Sequence, residues 1–369
     1  MSDVFFTDMN VDRSQNLLKK LEKLIDKAGL GTIDFEDKFV AIKIHFGEPG
    51  NMAYIRPNYA RVVVDYIKER GGKPFLTDCN TLYPGKRRNA IDHLYAAWEN
   101  GFTETTVGCP VIIADGLKGT DEEFIKINKE LVEDAKIGKA IADADIIVSI
   151  THFKGHESTG FGGTLKNIGM GSGSYSGKME QHQEGKPVVI ESECIGCKAC
   201  IQECAHGAIT IVNGKARIDL KKCVGCGRCV GRCIRAAIDV PDYSHNDDLC
   251  KKIAEYTYAT LLNKPNFHIS LAMDISPYCD CYSKNHPAIL PNVGFFASFD
   301  PVAIDVAAAD MCNKQHAMKG SKLDGLEHGH EHEHDHFHLL HPSTNWEVQV
   351  EHAEKIGLGS TKYKLIEVK

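Results

Sequence analysis

The strongest constraint on this chain lies near its middle. Residues 193–205 read ECIGCKACIQECA, and the pattern returns 29 residues later as CVGCGRCVGRC. The cysteines fall at Cys194, Cys197, Cys200 and Cys204, then at Cys223, Cys226, Cys229 and Cys233, two runs of C-x2-C-x2-C-x3-C. Two-residue gaps let one tight loop aim three thiolates at one Fe4S4 cube. The x3 step begins a helical turn that carries the fourth sulfur across to a second cube. By that rule Cys194, Cys197, Cys200 and Cys233 hold one [4Fe-4S] cluster, and Cys223, Cys226, Cys229 and Cys204 the other.

This is the spacing of bacterial two-cluster ferredoxins. The repeat continues past the ligands, since CAHGAITI and CIRAAIDV align at the same offset, so a half-module is duplicated. Small residues (Gly196, Ala199, Gly225, Gly227) stand where a loop must approach inorganic sulfide. About 50 residues with so few large apolar side chains cannot build a core unaided, so bound metal must supply much of their folding energy. Two zinc sites are the structural alternative, but zinc knots rarely use four cysteines in this tandem step. Ala205 and Ile234 replace the proline that usually follows the fourth cysteine. That change leaves the ligands alone and bears on potential and exposure.

The flanks alternate strand and helix. FVAIKIHFG (39–47), KPFLTD (73–78), VIIAD (111–115), NFHISLAMDI (266–275) and VGFFASFD (293–300) read as strands, with another at 363–368. Helices are expected at 56–72, 88–101, 245–264 and 301–314 and near 345–356, and 137–156 reads as a helix feeding a strand. The fold class is therefore α/β, a mostly parallel sheet flanked by helices, with an inserted ferredoxin-like α+β subdomain. Its expected parts are 1–187 and 242–369 for the body and 188–241 for the insert.

Polar residues gather where strands end, which is where such sheets carry ligands. Lys43, His45 and Glu48 close one strand, Asp78 and Asn80 another, His152, Lys154 and His156 a third, and Asp274 a fourth. THFKGHESTGFGGTLKNIGMGSGS (151–174) adds glycines that allow close backbone approach to an anion, framed by Lys154 and Lys166. The catalytic candidates are His45, Asp78, His152, Lys154, His156 and Lys166, and the ligand-binding candidates are Lys43, Gly160, Gly162, Gly163 and Asn167. In PYCDC, Cys279 and Cys281 could bind a further metal or exchange electrons, or be loop thiols pointing opposite ways. Cys79, Cys109, Cys250 and Cys312 read as small buried hydrophobes. EHGHEHEHDHFHLLH (327–341) includes His328, His330, His332, His334, His336 and His338, a tract suited to Ni or Zn, or a disordered loop that binds metal only incidentally.

A net charge of −7 argues against nucleic acid as a partner, and the one basic concentration, Lys86, Arg87 and Arg88, reads as a solvated loop. The N-terminus lacks signal-peptide features and no run approaches the roughly 18 apolar residues of a membrane span. Eight of fourteen cysteines have cluster spacing, which suits a reducing, cytoplasmic setting better than a disulfide framework. A redox partner of unknown identity, a small anionic ligand and a homodimer complete the expected associations.

The stretches IKIHFGEPGN, LTDCNTLYPGKRRNA, THFKGHESTGFGGTLKNIGMG, DISPYCDC, FASFDPVAIDVAAADM and HPSTNWEVQVEHAEKIGLG resemble the DUF362 family in its ferredoxin-containing form, over nearly the whole chain. The resemblance implies an α/β body with iron–sulfur clusters and gives no reaction. The histidine and GFGG-x-x-Lys segment is also faintly similar to nickel-pincer lactate racemases, too few residues to imply that activity. The functional expectation is an oxidoreductase whose clusters relay single electrons to a ligand at the strand ends. The alternatives are a non-catalytic carrier of electrons or metal, and clusters that only hold a binding domain together.

Overall fold

The computed structural model describes the chain apart from residues 14, 84, 183–186, 205, 224–228, 230, 231, 234, 236, 240–245 and 327–334. Eight strands form its main sheet: β1 (Ser2–Thr7), β2 (Phe39–Lys43), β3 (Lys73–Asp78), β4 (Val111–Ile113), β5 (Ile146–His152), β6 (Asn266–Ala272), β7 (Gly294–Ser298) and β8 (Tyr363–Glu367). Their spatial order is β8-β1-β7-β6-β5-β2-β3-β4. All neighbours pair parallel except those of β7, which runs against both β1 and β6.

Every residue of β5 is buried, as a central strand covered on both faces must be. Alternation divides the side chains between two cores. Val40, Ile42, Val148 and Ile150 face α1 (Leu17–Lys27) and α2 (Pro57–Lys68) through Leu21, Leu24, Val63 and Ile67. Ala41 and Ile147 face the other way, toward Ile168 of α4 (Thr164–Ser172) and Tyr256 of α5 (Asn246–Leu261). Two further helices reach the cavity region or cap the sheet, α3 (Ala90–Glu99) and α6 (Pro301–Asn313). The start of α6 is set by Pro301 in the first turn and by Asp300, whose carboxylate accepts from the amides of Val302 and Ala303.

From β2 the chain steps outward through β3 to β4, then returns to β5 on the opposite side of β2. The order reverses between β2 and β5. The crevice at such a reversal, outside the carboxyl ends of the strands, is where doubly wound sheets bind ligands.

The sheet is mostly parallel, as expected, with β7 its antiparallel member. The strand at Ser2–Thr7 and a hairpin of Glu122–Lys126 and Asp134–Gly138 are elements the sequence reading does not give. The glycine-rich stretch 155–177 is chiefly structured: a hairpin of Lys154–His156 and Gly160–Gly162, then α4, then a helix at Tyr175–Gln181. Glycine sits inside α4 because a neighbour leaves no room. A Cβ on Gly169 would lie 2.1 Å from the Ile253 carbonyl of α5 and 2.7 Å from the Thr257 hydroxyl. Gly169→Val is therefore expected to push α4 off α5 and destabilise the protein by about 1–3 kcal/mol. Urea denaturation measures this, and a loss under roughly 0.5 kcal/mol would mean the two helices are not held in contact there.

Between the Tyr175–Gln181 helix and α5 lies the cysteine-rich segment. Its outer strands, Val188–Val189 and Ile238–Asp239, pair antiparallel, and a hairpin of Ile209–Val212 and Lys215–Ile218 lies between them in sequence. Leu82, Tyr175 and Met179 of the body pack in one apolar cluster with Cys194, Cys200, Ile209, Ala216, Cys229, Cys233 and Ile238.

Candidate functional site

A cavity of about 170 Å³ lies at the reversal between β2 and β5. The floor is built by the strand ends. Lys43, the last residue of β2, is buried, with its ammonium 2.9 Å from Asp78 at the end of β3 and 2.9 Å from the Asn167 carbonyl oxygen. The Asn167 amide in turn donates to the Ile150 carbonyl at 3.1 Å and the Thr151 hydroxyl at 2.9 Å. Asn167 thus ties α4 to both strands that flank the reversal. Asp78 also faces the Arg87 guanidinium at 3.4 Å, and Arg87 Nε lies 3.1 Å from Glu48. Burial opposes ionisation of Asp78, but Lys43, His93, His45 and Arg87 overcome it and hold the carboxyl well below its usual range.

The cationic character of the lining is pronounced. Lys43, Arg87, Lys154, Lys166 and Lys178 line the cavity, against two carboxylates, Asp78 and Glu157. Three histidines join them. Burial, then Arg87, pushes the pKa of His45 down. Burial and Lys166 push that of His182 down to about 3, so its ring is neutral at ordinary pH. His156 accepts from the Ser158 amide through Nδ1 at 3.1 Å.

The loop after β6 carries Cys279 and Cys281. Both line the cavity, while Asp280 between them bonds His152 at 2.8 Å and lies 3.7 Å from the Lys154 ammonium. The Cys279 thiol is held well below its ordinary pKa, first by a hydrogen bond with Cys281. Burial opposes this, while the Lys166 ammonium and hydrogen bonds with His156 and His45 reinforce it. Cys281 is pushed up correspondingly, so the pair favours one thiolate, on Cys279.

Among the sequence candidates, Lys43, His45, Asp78, Lys154, His156, Gly162, Gly163, Lys166, Asn167, Cys279 and Cys281 converge on this cavity. His152 does not. Its ring nitrogens are both engaged, by Asp280 and by the Met273 carbonyl at 2.8 Å, so it positions Asp280 and has no nitrogen for a ligand. Gly160 packs beside Trp346 and Thr344, away from the cavity. The expected glycine cradle at the start of α4 is also filled from within: Asp305 accepts from the amides of Thr164 at 2.6 Å and Leu165 at 2.9 Å. Asp274 pairs with Arg56 at 2.9 Å.

Sequence reasoning missed Arg87, Tyr83, Lys178 and His182. Arg87 is fully buried, not part of a solvated loop, whereas Lys86 beside it is exposed and pairs with Glu99. Its nearest sequence signal was the nine-residue spacing from Asp78, which carries no periodicity.

The cysteine-rich segment forms a second, smaller cavity of about 20 Å³, lined by Cys194, Cys197, Cys200 and Cys233 together. Backbone amides donate to three of its sulfurs: Ala208 to Cys204 and Ala216 to Cys194, both at 3.3 Å, and Ala237 to Cys233 at 3.2 Å. Among the described residues, no group of three or more His, Cys, Asp or Glu side chains is disposed to hold a metal ion. Cys226 and His328, His330, His332 and His334 lie outside those residues. His336 and His338 open a short helix at His336–Leu340, where His336 contacts the Gln315 carbonyl at 2.7 Å and His338 the Thr344 carbonyl at 3.2 Å. That end of the tract is anchored rather than a flexible chain. Among the described residues no helix is long and apolar enough to cross a membrane.

Fold and site together define a doubly wound α/β protein with a lysine- and arginine-lined cavity at its strand-order reversal. Residues 40–310 match the family described as a domain of unknown function, DUF362, and the chain belongs to that family. No curated protein matches it. Two solved structures are similar over most of this chain. One is the lactate racemase apoprotein from Thermoanaerobacterium thermosaccharolyticum, with TM-score 0.37 and 12% identity over 73% of this chain and 51% of that one. The other is a structural-genomics protein from Thermotoga maritima, with TM-score 0.38 and 13% identity over 79% and 56%. The chain spans about half the length of these structures. Neither likeness bears on ligand or reaction.

Proposed function

We propose that this protein is an iron–sulfur oxidoreductase acting on a small anionic substrate or cofactor bound in the 170 Å³ cavity. Two [4Fe-4S] clusters, held by Cys194, Cys197, Cys200 and Cys233 and by Cys223, Cys226, Cys229 and Cys204, would supply single electrons. The observation that carries the reading is a shared wall. Leu82 lines the cavity and also belongs to the apolar cluster that packs around Cys194, Cys200, Cys229 and Cys233. Two observations support the reading: four thiols from the two halves of the repeat line one small cavity, and amide-to-sulfur bonds of the kind that tune cluster potentials reach three cysteines.

The chain's own residues then bind and orient the ligand. Lys166 offers an ammonium group at the cavity wall, while Lys154, Lys43 and Arg87 beside it are paired with Asp280, Asp78 and Glu48. His156 lines the cavity with Nδ1 held by the Ser158 amide, and would exchange a proton with the ligand through its other nitrogen, in place of its interaction with Cys279.

The test is anaerobic reconstitution of the full chain with iron and sulfide, chemical reduction, and a screen of small carboxylates and phosphates for reoxidation. His156→Ala and Lys166→Ala are each expected to lower ligand-dependent reoxidation by roughly tenfold or more while leaving the cluster absorbance intact. Unchanged turnover in both variants would remove the cavity from the reaction. A pure electron carrier would show no ligand dependence at all.

A further inference from the structure

The reading above gives no task to Cys279 and Cys281, although both thiols face the cavity and the residue between them turns away to His152 and Lys154. Cys281, His45 and His156 all stand close enough to Cys279 to lower its pKa. The Lys166 ammonium lies 4.0 Å from the Cys279 sulfur. An attacking thiol with adjacent cations and a second thiol within reach is the arrangement that disulfide exchange requires. A bystander pair of buried cysteines would instead sit among apolar side chains, as Cys312 does in the cluster with Ile304 and Phe296.

We propose that Cys279 and Cys281 form a thiol–disulfide exchange couple for small anionic disulfides, with Cys279 attacking and Cys281 resolving. Cys279 thiolate attacks one sulfur of R–S–S–R, forming a Cys279–S–S–R bond and releasing RS⁻. The Cys281 thiol then gives up its proton and displaces the second RS⁻, which leaves as RSH. The products are a Cys279–Cys281 disulfide, one thiolate and one thiol. The substrate disulfide is reduced by two electrons and the protein dithiol is oxidised by two. The anionic preference follows from the excess of lysine and arginine around the thiols. The step needs no cluster, so it stands or falls apart from the electron-relay reading.

The experiment exposes the full chain, reduced and handled without oxygen, to the dianionic disulfide dithiodipropionate or to the dicationic disulfide cystamine. Samples are quenched by alkylation over time and digested, and the peptide bearing residues 279–281 is followed by mass spectrometry. In the unmodified protein a transient adduct on Cys279 is expected to precede an internal disulfide, with dithiodipropionate reacting roughly tenfold or more faster than cystamine. Cys281→Ser should accumulate the Cys279 adduct, and Cys279→Ser should slow reaction at Cys281 by roughly tenfold or more. An adduct appearing first on Cys281, or cystamine reacting as fast as dithiodipropionate, would overturn the proposal. Both of those readouts come from the unmodified protein and do not depend on a variant folding.

Discussion

Arg87→Met is expected to destabilise the protein by about 3–5 kcal/mol. The guanidinium is fully buried and lies 3.1 Å from Glu48, 3.4 Å from Asp78 and against the Tyr83 hydroxyl. Glu48 and Asp78 are themselves buried. Methionine keeps most of the volume, so the loss reports the stranded carboxylates and not a void. Asp78 retains Lys43 at 2.9 Å. Glu48 has only the Lys86 backbone amide among its described side-chain partners, so it is the more exposed to the loss. Arg87→Lys should recover part of the stability, because a point charge cannot span both carboxylates as a planar fork does. Urea denaturation at neutral pH measures all three proteins. A loss below roughly 1 kcal/mol in Arg87→Met would show that water reaches these carboxylates and that the ion-pair network at the cavity floor is not sealed from solvent.

The contrast between Lys86 and Arg87 shows where sequence stops being legible. Three consecutive basic residues read as solvent-facing, and for Lys86 that holds. Arg87 is drawn inward by carboxylates from two other segments, contacts that no local pattern encodes. Strands were legible for the opposite reason. Seven successive buried residues in Ile146–His152 follow from local composition, and so does the placement of Lys43, Asp78 and His156 at strand ends. Which strand-end residue faces the cavity was not legible. His152 and His156 are four apart in a suggestive motif, yet one is tied on both nitrogens while the other lines the cavity. The glycines misled through the same gap. Gly163 precedes amides suited to an anion, and the group they hold is the buried Asp305 carboxyl, 140 or so residues along the chain, whose pKa burial pushes up to about 7.

Asp280→Ala is expected to cost about 3–5 kcal/mol at neutral pH, because it leaves the buried Lys154 ammonium and the His152 ring without their carboxylate. Asp280→Asn keeps a hydrogen-bond acceptor for His152 but no charge for Lys154, and should lose less, about 1–3 kcal/mol. The pH dependence separates charge from packing. Burial alone would raise the Asp280 pKa, but His152 and Lys154 overcome it and hold the carboxyl well below the ordinary 3.8. Its folded-state pKa is depressed, so the unfolded chain binds the proton first as pH falls. The stabilisation is then complete above the unfolded value near pH 4 and drains away as pH drops toward the folded one. The gap between the unmodified protein and Asp280→Ala should stay constant from about pH 5 to 7 and narrow below about pH 4. A gap that persists unchanged at low pH would mean the variant loses packing rather than an ion pair. Because Asp280 stands between the two thiols, its bond to His152 also fixes the turn that presents both sulfurs to the cavity. Asp280→Asn should therefore keep the order of reaction of Cys279 before Cys281, and Asp280→Ala should blur it, which ties the buried ion pair to the chemistry it supports.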